Sequence, residues 1–106
     1  MDDQVIEVGA AEFQREVLEA DRPVLVDFTA AWCAPCRALA PELEALAARH
    51  AGRLRVAQVD VDRHQVIADQ YGIRSMPTLL LFRGGRVVKQ LVGRVPRAKL
   101  EELVAG

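Results

Sequence analysis

The sequence has few of the features that mark several large classes of protein. Its 106 residues carry a formal net charge of −1 with no block of like charges, which gives no electrostatic case for binding nucleic acid or an anionic membrane. No apolar run is long enough to cross a bilayer, and there is no repeat or low-complexity tract. With 51% apolar residues, we expect a single folded domain over residues 1–106, without nucleic acid or membrane partners.

The N-terminal residues are not expected to act as a targeting signal. The segment Met1-Asp2-Asp3-Gln4 is acidic and is not followed by a long apolar stretch, which argues against a signal peptide and against a transit peptide. We therefore expect a cytoplasmic protein. Thiols are kept reduced in that compartment, so a pair of cysteines there is more often catalytic than structural.

Residues that could bind a metal ion are scarce as well. The only histidines, His50 and His64, are separated by thirteen residues, which does not match the short His-His spacing of zinc fingers. The only cysteines, Cys33 and Cys36, therefore lack the two further ligands that a structural zinc site needs. We expect no metal site.

The chain does contain one Cys-x-x-Cys pair, placed after the apolar run Val24–Phe28 and at the start of a helical pattern. Residues three apart in a first helical turn face the same side, so two sulfurs there can reach disulfide distance with little backbone movement. A helix start also presents free N–H groups and the positive end of the helix dipole, which stabilise a thiolate. Pro35 fits, because an early helical position has no intrahelical N–H bond to lose. The pair predicts redox chemistry.

Two other interpretations of the cysteine pair remain open at this point. A structural disulfide is disfavoured, because closing so short a loop removes little entropy from the unfolded chain. Two inert buried cysteines are also conceivable, although the helix start favours reactivity.

Hydrophobic periodicity and turn residues predict strands alternating with helices. The strands are expected at Val5–Val8, Pro23–Thr29, Leu54–Val61, Thr78–Phe82 and Val87–Val92, and the helices at Ala11–Ala20, Ala34–His50, His64–Tyr71 and from Pro96 onward. Gly72 predicts a left-handed helix cap and Gly84-Gly85 a hairpin, whereas Val95 is a poor N-cap for the last helix. This order predicts a three-layer α/β domain with a sheet that is parallel early and antiparallel late.

Several motifs together resemble the thioredoxin family over nearly the whole chain. Asp27 lies six residues before the cysteine motif, and Pro77-Thr78 follows that motif by about forty residues, which makes the combination specific. The resemblance implies a three-layer thioredoxin fold, with a central mixed five-stranded sheet flanked by four helices. The motifs are Val26-Asp27-Phe28, Trp32-Cys33-Ala34-Pro35-Cys36-Arg37, Ala40-Pro41, Tyr71-Gly72-Ile73-Arg74, Met76-Pro77-Thr78, Gly84-Gly85 and Val92-Gly93.

The resemblance implies that Cys33 is the attacking thiol, that Cys36 is the resolving thiol, and that the two form a redox-active disulfide. We expect Cys33 to be exposed at the helix tip and Cys36 to be more shielded one turn into the helix. The implied activity is that of a general protein-disulfide reductase, a thiol-disulfide oxidoreductase in electron transport and cell redox homeostasis. Such an enzyme has no bound cofactor, acts as a monomer on diverse disulfide-containing proteins and is recharged by thioredoxin reductase, an NADPH-dependent flavoprotein.

Asp27 is the one charged residue in an otherwise apolar strand. It is compatible with an edge position where the carboxylate meets water, since ionised aspartate is rarely buried without a partner. The functional alternative is a desolvated carboxyl with a raised pKa that exchanges protons with Cys36. In the family a lysine often lies nearby on the third strand; Gln58 stands at the matching position here, and the missing charge should raise the pKa of Asp27 further.

Pro77 is compatible with a simple loop breaker before a strand, because few X–Pro bonds are cis. The resemblance implies instead a cis Met76–Pro77 bond beside the cysteines. That geometry would leave the backbone of Met76 free to pair with an extended substrate strand and would keep metal ions away from the two thiols.

Trp32 is compatible with ordinary core, but its place directly before Cys33 favours an exposed surface for contact with flexible partners. With the residues that the resemblance adds, this surface is called the docking rim; it consists of Trp32, Ala34, Pro35, Gly72, Ile73, Met76, Val92 and Gly93. The chain departs from the common family pattern at Ala34, where glycine is usual, and at Thr29, where an aromatic residue is frequent. We expect Ala34 to stiffen the start of the helix and Thr29 to leave thinner packing behind the cysteines.

Two alternatives to a reductase remain. The first is an oxidant or isomerase of the same superfamily in an exported compartment, which a redox titration against glutathione would distinguish. The second is a binding module, in which the rim holds a partner and the thiols are incidental. A double Cys33→Ser, Cys36→Ser variant that kept full biological activity would favour the binding module.

Overall fold

The computed structural model describes residues 5–105, in which five strands and four helices alternate along the chain. The predicted character of Met1–Gln4 lies outside the described residues. The elements are β1 (Ile6–Glu7), α1 (Ala10–Phe13) with a π-helical continuation (Gln14–Leu18), β2 (Val24–Thr29), α2 (Ala34–Arg49), β3 (Arg55–Asp60), α3 (Gln65–Gln70), β4 (Thr78–Arg83), β5 (Arg86–Val92) and α4 (Arg97–Val104).

The five strands form one mixed sheet in the order β1-β3-β2-β4-β5. The neighbours β1, β3 and β2 run parallel, whereas β4 and β5 are antiparallel to their neighbours, as the element order predicts. The central strands β2 and β4 are buried along almost their whole length, which explains their continuous apolar sequences. The edge strand β5 is exposed at nearly every position.

Helices cover both faces of the sheet, which gives three layers. On one face, Phe13 of α1 and Ile67 of α3 pack against Val24, Val26 and Phe28 of β2. On the other face, the leucines of α2 and α4 pack against Leu25 of β2; they are Leu39, Leu43, Leu46, Leu100 and Leu103. Because side chains alternate along a strand, Asp27 points to the same face as Leu25, towards α2.

The turns agree with the predicted ones. Gly84 and Gly85 have φ values of +58° and +80°, the left-handed pair that a two-residue hairpin loop requires. Gly72, with φ of +66°, follows α3 as the expected left-handed residue.

All four helices differ from the prediction at their ends. The first helix was expected at Ala11–Ala20, but it begins at Ala10 and continues as a π-helix that ends at Leu18, with a hydrogen bond of 2.9 Å from the N–H of Glu19 to the oxygen of Gln14, five residues earlier. The helix α2 ends at Arg49, one residue before the predicted end, and α3 spans Gln65–Gln70 in place of His64–Tyr71. The N-cap of α4 is Pro96 and not Val95, since Pro96 still has extended backbone angles. Its side chain makes no capping hydrogen bond either.

Candidate active site

The register of the sheet brings three distant segments to one end of the molecule. Phe28 near the carboxyl end of β2 pairs with Thr78 at the start of β4, and Thr78 pairs with Val92 at the end of β5. The loop before α2, the loop before β4 and the end of β5 therefore meet. These three segments carry the cysteines, Met76-Pro77 and Val92-Gly93.

Cys33 and Cys36 occupy the first turn of α2 and are joined by a disulfide, with their Cα atoms 5.3 Å apart. Cys33 is the N-cap residue, with the extended backbone (φ −88°, ψ 107°) that is typical of this position. Its Sγ accepts a hydrogen bond of 3.2 Å from the backbone N–H of Cys36. Pro35 lies within the same turn, where its missing N–H costs no helical hydrogen bond.

The expected difference in exposure between the two cysteines is wrong. Cys33 is 4% exposed and Cys36 is 2% exposed, so both sulfurs are buried. The reason is that Cys33 packs with Ala30 and Cys36 in a small cluster against which Val61 and Met76 rest. What separates the two residues is their position on the helix: Cys33 caps it, and Cys36 lies inside it.

The loop before β4 lies directly over Cys33. The Met76–Pro77 peptide bond is cis, and the backbone oxygen of Met76 is 3.6 Å from Cys33 Sγ. Pro77 is held to the end of β5, because its oxygen accepts the N–H of Gly93 at 2.8 Å. Within residues 5–105, neither the N–H nor the C=O group of Met76 has a backbone partner. This leaves both groups available to an incoming extended chain.

Trp32 is exposed to 64%, in agreement with a place on the surface and not in the core. Its Nε1–H donates a hydrogen bond of 2.8 Å to Oδ2 of Asp62, which follows β3. Asp62 is not among the site residues that the sequence predicted. The signal was its position just beyond β3, since the carboxyl ends of parallel neighbours such as β3 and β2 lie at one edge of the sheet.

The other members of the docking rim differ in how far they reach the surface. Ala34, Pro35, Gly72 and Val92 are exposed, and Met76 and Gly93 are half-buried. Ile73 is half-buried because its side chain packs against the core cluster of α1 and α3. The surface therefore forms around Trp32, the first turn of α2 and the end of β5, with Ile73 held partly by the core.

Asp27 is fully buried, so the edge position is wrong. Burial raises its pKa from 3.8 to about 6, because a carboxylate away from water loses its hydration. Gln58, directly opposite on β3, partly opposes this rise by donating a hydrogen bond of 3.4 Å to Oδ2. Among the described residues, Oδ1 has no hydrogen-bond partner. Asp27 is therefore a buried acid without a charged partner, on the face of the sheet covered by α2.

No three His, Cys, Asp or Glu residues in the described range 5–105 form a group that could hold a metal ion. The two histidines lie on different elements: His50 follows α2, and His64 precedes α3. Over the same range, no helix has the length and apolar character needed to cross a bilayer.

Comparison with known proteins gives a consistent result. The thioredoxin family model matches residues 4–106. The chain is 52% identical to a thioredoxin of Alicyclobacillus acidocaldarius over 95 residues, 90% of each chain, and 46% identical to thioredoxin C-2 of Corynebacterium nephridii over 94% of this chain and 93% of that one. A solved structure of a mutant thioredoxin from Halobacterium salinarum superposes with a TM-score of 0.88 at 37% identity, covering 97% of this chain and 89% of the other.

Proposed function

This chain belongs to the thioredoxin family, and from that membership we propose that Cys33 is the nucleophile and Cys36 the resolving thiol of its reaction. The protein is a thiol-disulfide oxidoreductase that reduces disulfides in other proteins.

The observation that carries the assignment is the hydrogen bond from the Cys36 N–H to Cys33 Sγ. After reduction, the same N–H and the positive end of the α2 dipole stabilise a thiolate on Cys33. Cys36 lies inside the first turn and receives no such bond at its sulfur. The thiolate therefore forms more readily on Cys33.

The reaction consists of two exchanges. In the first, the Cys33 thiolate attacks a substrate disulfide; a bond forms between Cys33 and one substrate sulfur, and the other substrate sulfur leaves as a thiolate. In the second, Cys36 loses its proton and attacks Cys33 Sγ. The Cys33–Cys36 disulfide forms, and the first substrate sulfur leaves as a thiolate, which takes a proton from solvent. The second step is fast because both groups are held in one helical turn.

Asp27 is the acid-base group in this proposal, exchanging a proton with Cys36. A pKa of about 6 allows a carboxyl to gain and lose a proton close to neutral pH, as a general base must. Its burial on the face covered by α2 supports this role, since Cys36 belongs to the first turn of that helix.

Met76, Pro77 and the docking rim position the substrate. The free N–H and C=O groups of Met76 lie beside Cys33, so an extended substrate segment can pair with them while its disulfide faces the sulfur. The bond between the Pro77 oxygen and the Gly93 N–H supports the loop from behind. Exposed Trp32 and Val92 supply apolar contacts that do not depend on a particular substrate sequence.

We further propose that the chain acts as one domain and as a monomer in the cytoplasm, with no bound cofactor. In this proposal its oxidised form is recharged by an NADPH-dependent thioredoxin reductase, as is typical of the family, and its substrates are diverse disulfide-containing proteins. The names of the relatives and the exposed, largely apolar docking rim support these points.

The test is the reduction of insulin coupled to NADPH consumption by thioredoxin reductase. The wild-type chain should sustain turnover, and the double Cys33→Ser, Cys36→Ser variant should not. A double variant that retained the biological activity of the wild type would instead support a binding module. Recharging by glutathione but not by thioredoxin reductase would contradict the proposed partner.

A further inference from the structure

An open cavity of about 450 Å³ adjoins the cysteine pair on the side away from the docking rim. Among the described residues, its lining includes Cys36 but neither Cys33 nor any residue of the docking rim. Its strand residues come from β2, β3 and β1, whereas Met76 and Val92 lie on the β4 and β5 side of β2. The cavity therefore meets Cys36 on the side opposite the docking rim.

The cavity exists because small side chains line it near the sulfur. Thr29 at the end of β2 and the next two residues, Ala30 and Ala31, form one wall, and Ala40, one helical turn after Cys36, contributes from α2. Thr29 is the position where the sequence resemblance led us to expect an aromatic residue. A large ring at this position would fill much of the space next to Cys36.

The charges around the cavity are mixed in sign and largely engaged. Glu12 accepts the backbone N–H of Gly9 at 2.7 Å, and Asp60 accepts the backbone N–H of Asp62 at 2.9 Å. Arg37 donates to the backbone oxygen of Ala31 at 2.7 Å. The remaining charged groups, Glu7 and Arg63, are of opposite sign. Such a lining gives no strong preference for an anion or a cation, so it suits a small uncharged polar molecule.

We propose that this cavity admits small uncharged electrophiles to Cys36 of the reduced protein, which makes Cys36 a modification site separate from the docking rim. In the reaction with an alkyl iodide, the Cys36 thiol gives its proton to solvent, its sulfur forms a bond to carbon, the carbon–iodine bond breaks and iodide leaves. Cys36 is only 2% exposed, so the opening at the sulfur is narrow and large reagents are excluded.

Reduction is expected to leave the cavity open. Its walls come from β1, β2, β3, the helices α1 and α2 and the loop before α3, which are held together by the sheet and its two cores. Breaking one bond within a single turn of α2 does not remove any of these contacts. If the roles proposed above hold, an adduct on Cys36 stops the reaction at the mixed disulfide; this consequence alone rests on the proposed function.

The test measures alkylation of single thiols by mass spectrometry under reducing conditions. In a Cys33→Ser background, the rate of Cys36 labelling by iodoacetamide is compared with and without Thr29→Trp, at the high-pH plateau where the thiol is fully ionised. We expect the cavity-filling substitution to slow labelling by about tenfold or more, because the sulfur then becomes accessible only through local opening. A maleimide carried on a polyethylene glycol chain should react slowly in both proteins.

A matched control uses the Cys36→Ser background, in which Thr29→Trp should leave the labelling rate of Cys33 unchanged. Ala40→Leu fills the cavity from α2 and serves as a second variant if Thr29→Trp does not fold, as judged by its thermal unfolding. Equal labelling rates of Cys36 in filled and unfilled proteins would overturn the proposal. So would equal rates for the small and the large reagent, since both results place the access route elsewhere.

Discussion

Two carboxylates on elements that pack with α2, Asp27 of β2 and Glu101 of α4, respond to their surroundings in opposite ways. On the face of the sheet covered by α2, Asp27 is fully buried with one hydrogen bond of 3.4 Å, and burial raises its pKa to about 6. At the last turn of α2, Glu101 accepts a hydrogen bond from Arg49 Nε at 2.6 Å and pairs with His50 Nε2 at 2.8 Å. These hydrogen bonds, that of His50 first, lower the pKa of Glu101.

The difference shows which end of the helix is optimised for stability. Arg49 lies at the negative end of the α2 dipole, where a cation is favourable, and Arg49 and His50 join α2 to α4 through one half-exposed carboxylate. Asp27, in contrast, is a buried acid with no ionic partner among the described residues, on the face of the sheet that α2 covers. A carboxyl whose pKa is raised by burial is typical of a functional site.

The largest effect is expected from substituting the two cysteines at the N-terminal end of α2, which stops the redox reaction and leaves the C-terminal end of the helix unchanged. Cys33→Ser should abolish insulin reduction, because the stabilised thiolate is lost. Cys36→Ser should form a lasting mixed disulfide with substrate, since nothing resolves it. Non-reducing electrophoresis and mass spectrometry detect this complex. Glu101→Gln is the control at the other end and should keep full turnover; trapping by Cys33→Ser in place of Cys36→Ser would reverse the two roles.

The second prediction concerns Asp27→Asn, which removes the buried charge. Because the folded pKa of Asp27, about 6, lies above its ordinary value of 3.8, the ionised form destabilises the fold. This penalty begins as pH rises above the unfolded value and is complete above the folded one. Asp27→Asn should therefore raise the free energy of unfolding by up to about 3 kcal/mol at about pH 8, since a tenfold change in proton affinity corresponds to about 1.4 kcal/mol.

The measurement is urea denaturation of wild type and Asp27→Asn at about pH 8 and at about pH 4, where the gain should largely disappear. Asp21→Asn, at an exposed position, serves as the control and should change the midpoint little at either pH. Identical midpoints for wild type and Asp27→Asn at the higher pH would contradict the buried, uncompensated charge.

The third prediction concerns the contact between Glu101 of α4 and the C-terminal end of α2. Glu101→Gln should lower the free energy of unfolding by about 1 kcal/mol or less, because solvent screens a half-exposed pair. The sign with pH is opposite to that of Asp27: a lowered pKa gives stability that is present above the unfolded value and is lost as pH falls through the folded value. Glu102→Gln is a close control, since its pair with Lys99 is more exposed and longer, at 3.5 Å. If Glu101→Gln and Glu102→Gln lowered the free energy of unfolding equally, Glu101 would contribute no more than an ordinary exposed ion pair.

The smallest effect is expected from the hydrogen bond between Asp62 and the exposed ring of Trp32. Asp62→Ala frees the Trp32 ring from its hydrogen bond, and ordering that ring then accompanies substrate binding. We expect KM for insulin to rise about two- to fivefold with kcat unchanged, the size of one ordinary hydrogen bond. Asp69→Ala, an exposed change on α3, should alter neither constant. A fall in kcat with Asp62→Ala would mean that the contact serves chemistry and not docking.

Local patterns were sufficient to predict most of the fold. The apolar run of β2, the helix start at Cys33 and the Gly84-Gly85 hairpin are properties of a few adjacent residues, and the structure has all of them. The expectation of an exposed Cys33 failed because its burial depends on Met76, forty-three positions away. The π-helical turn at Gln14–Leu18 was also not predicted, because hydrophobic periodicity does not distinguish one such turn from an α-helix.

The sequence by itself determined the order of elements, the pairing of the two cysteines in one helical turn and the presence of an acid in a buried strand. These follow from periodicity and spacing, which act over one or two turns. Only the tertiary structure decided that Trp32 meets Asp62, that Glu101 joins α2 to α4, and that a cavity reaches Cys36. Each of these depends on strand register and helix packing, which bring residues together that are far apart in the chain.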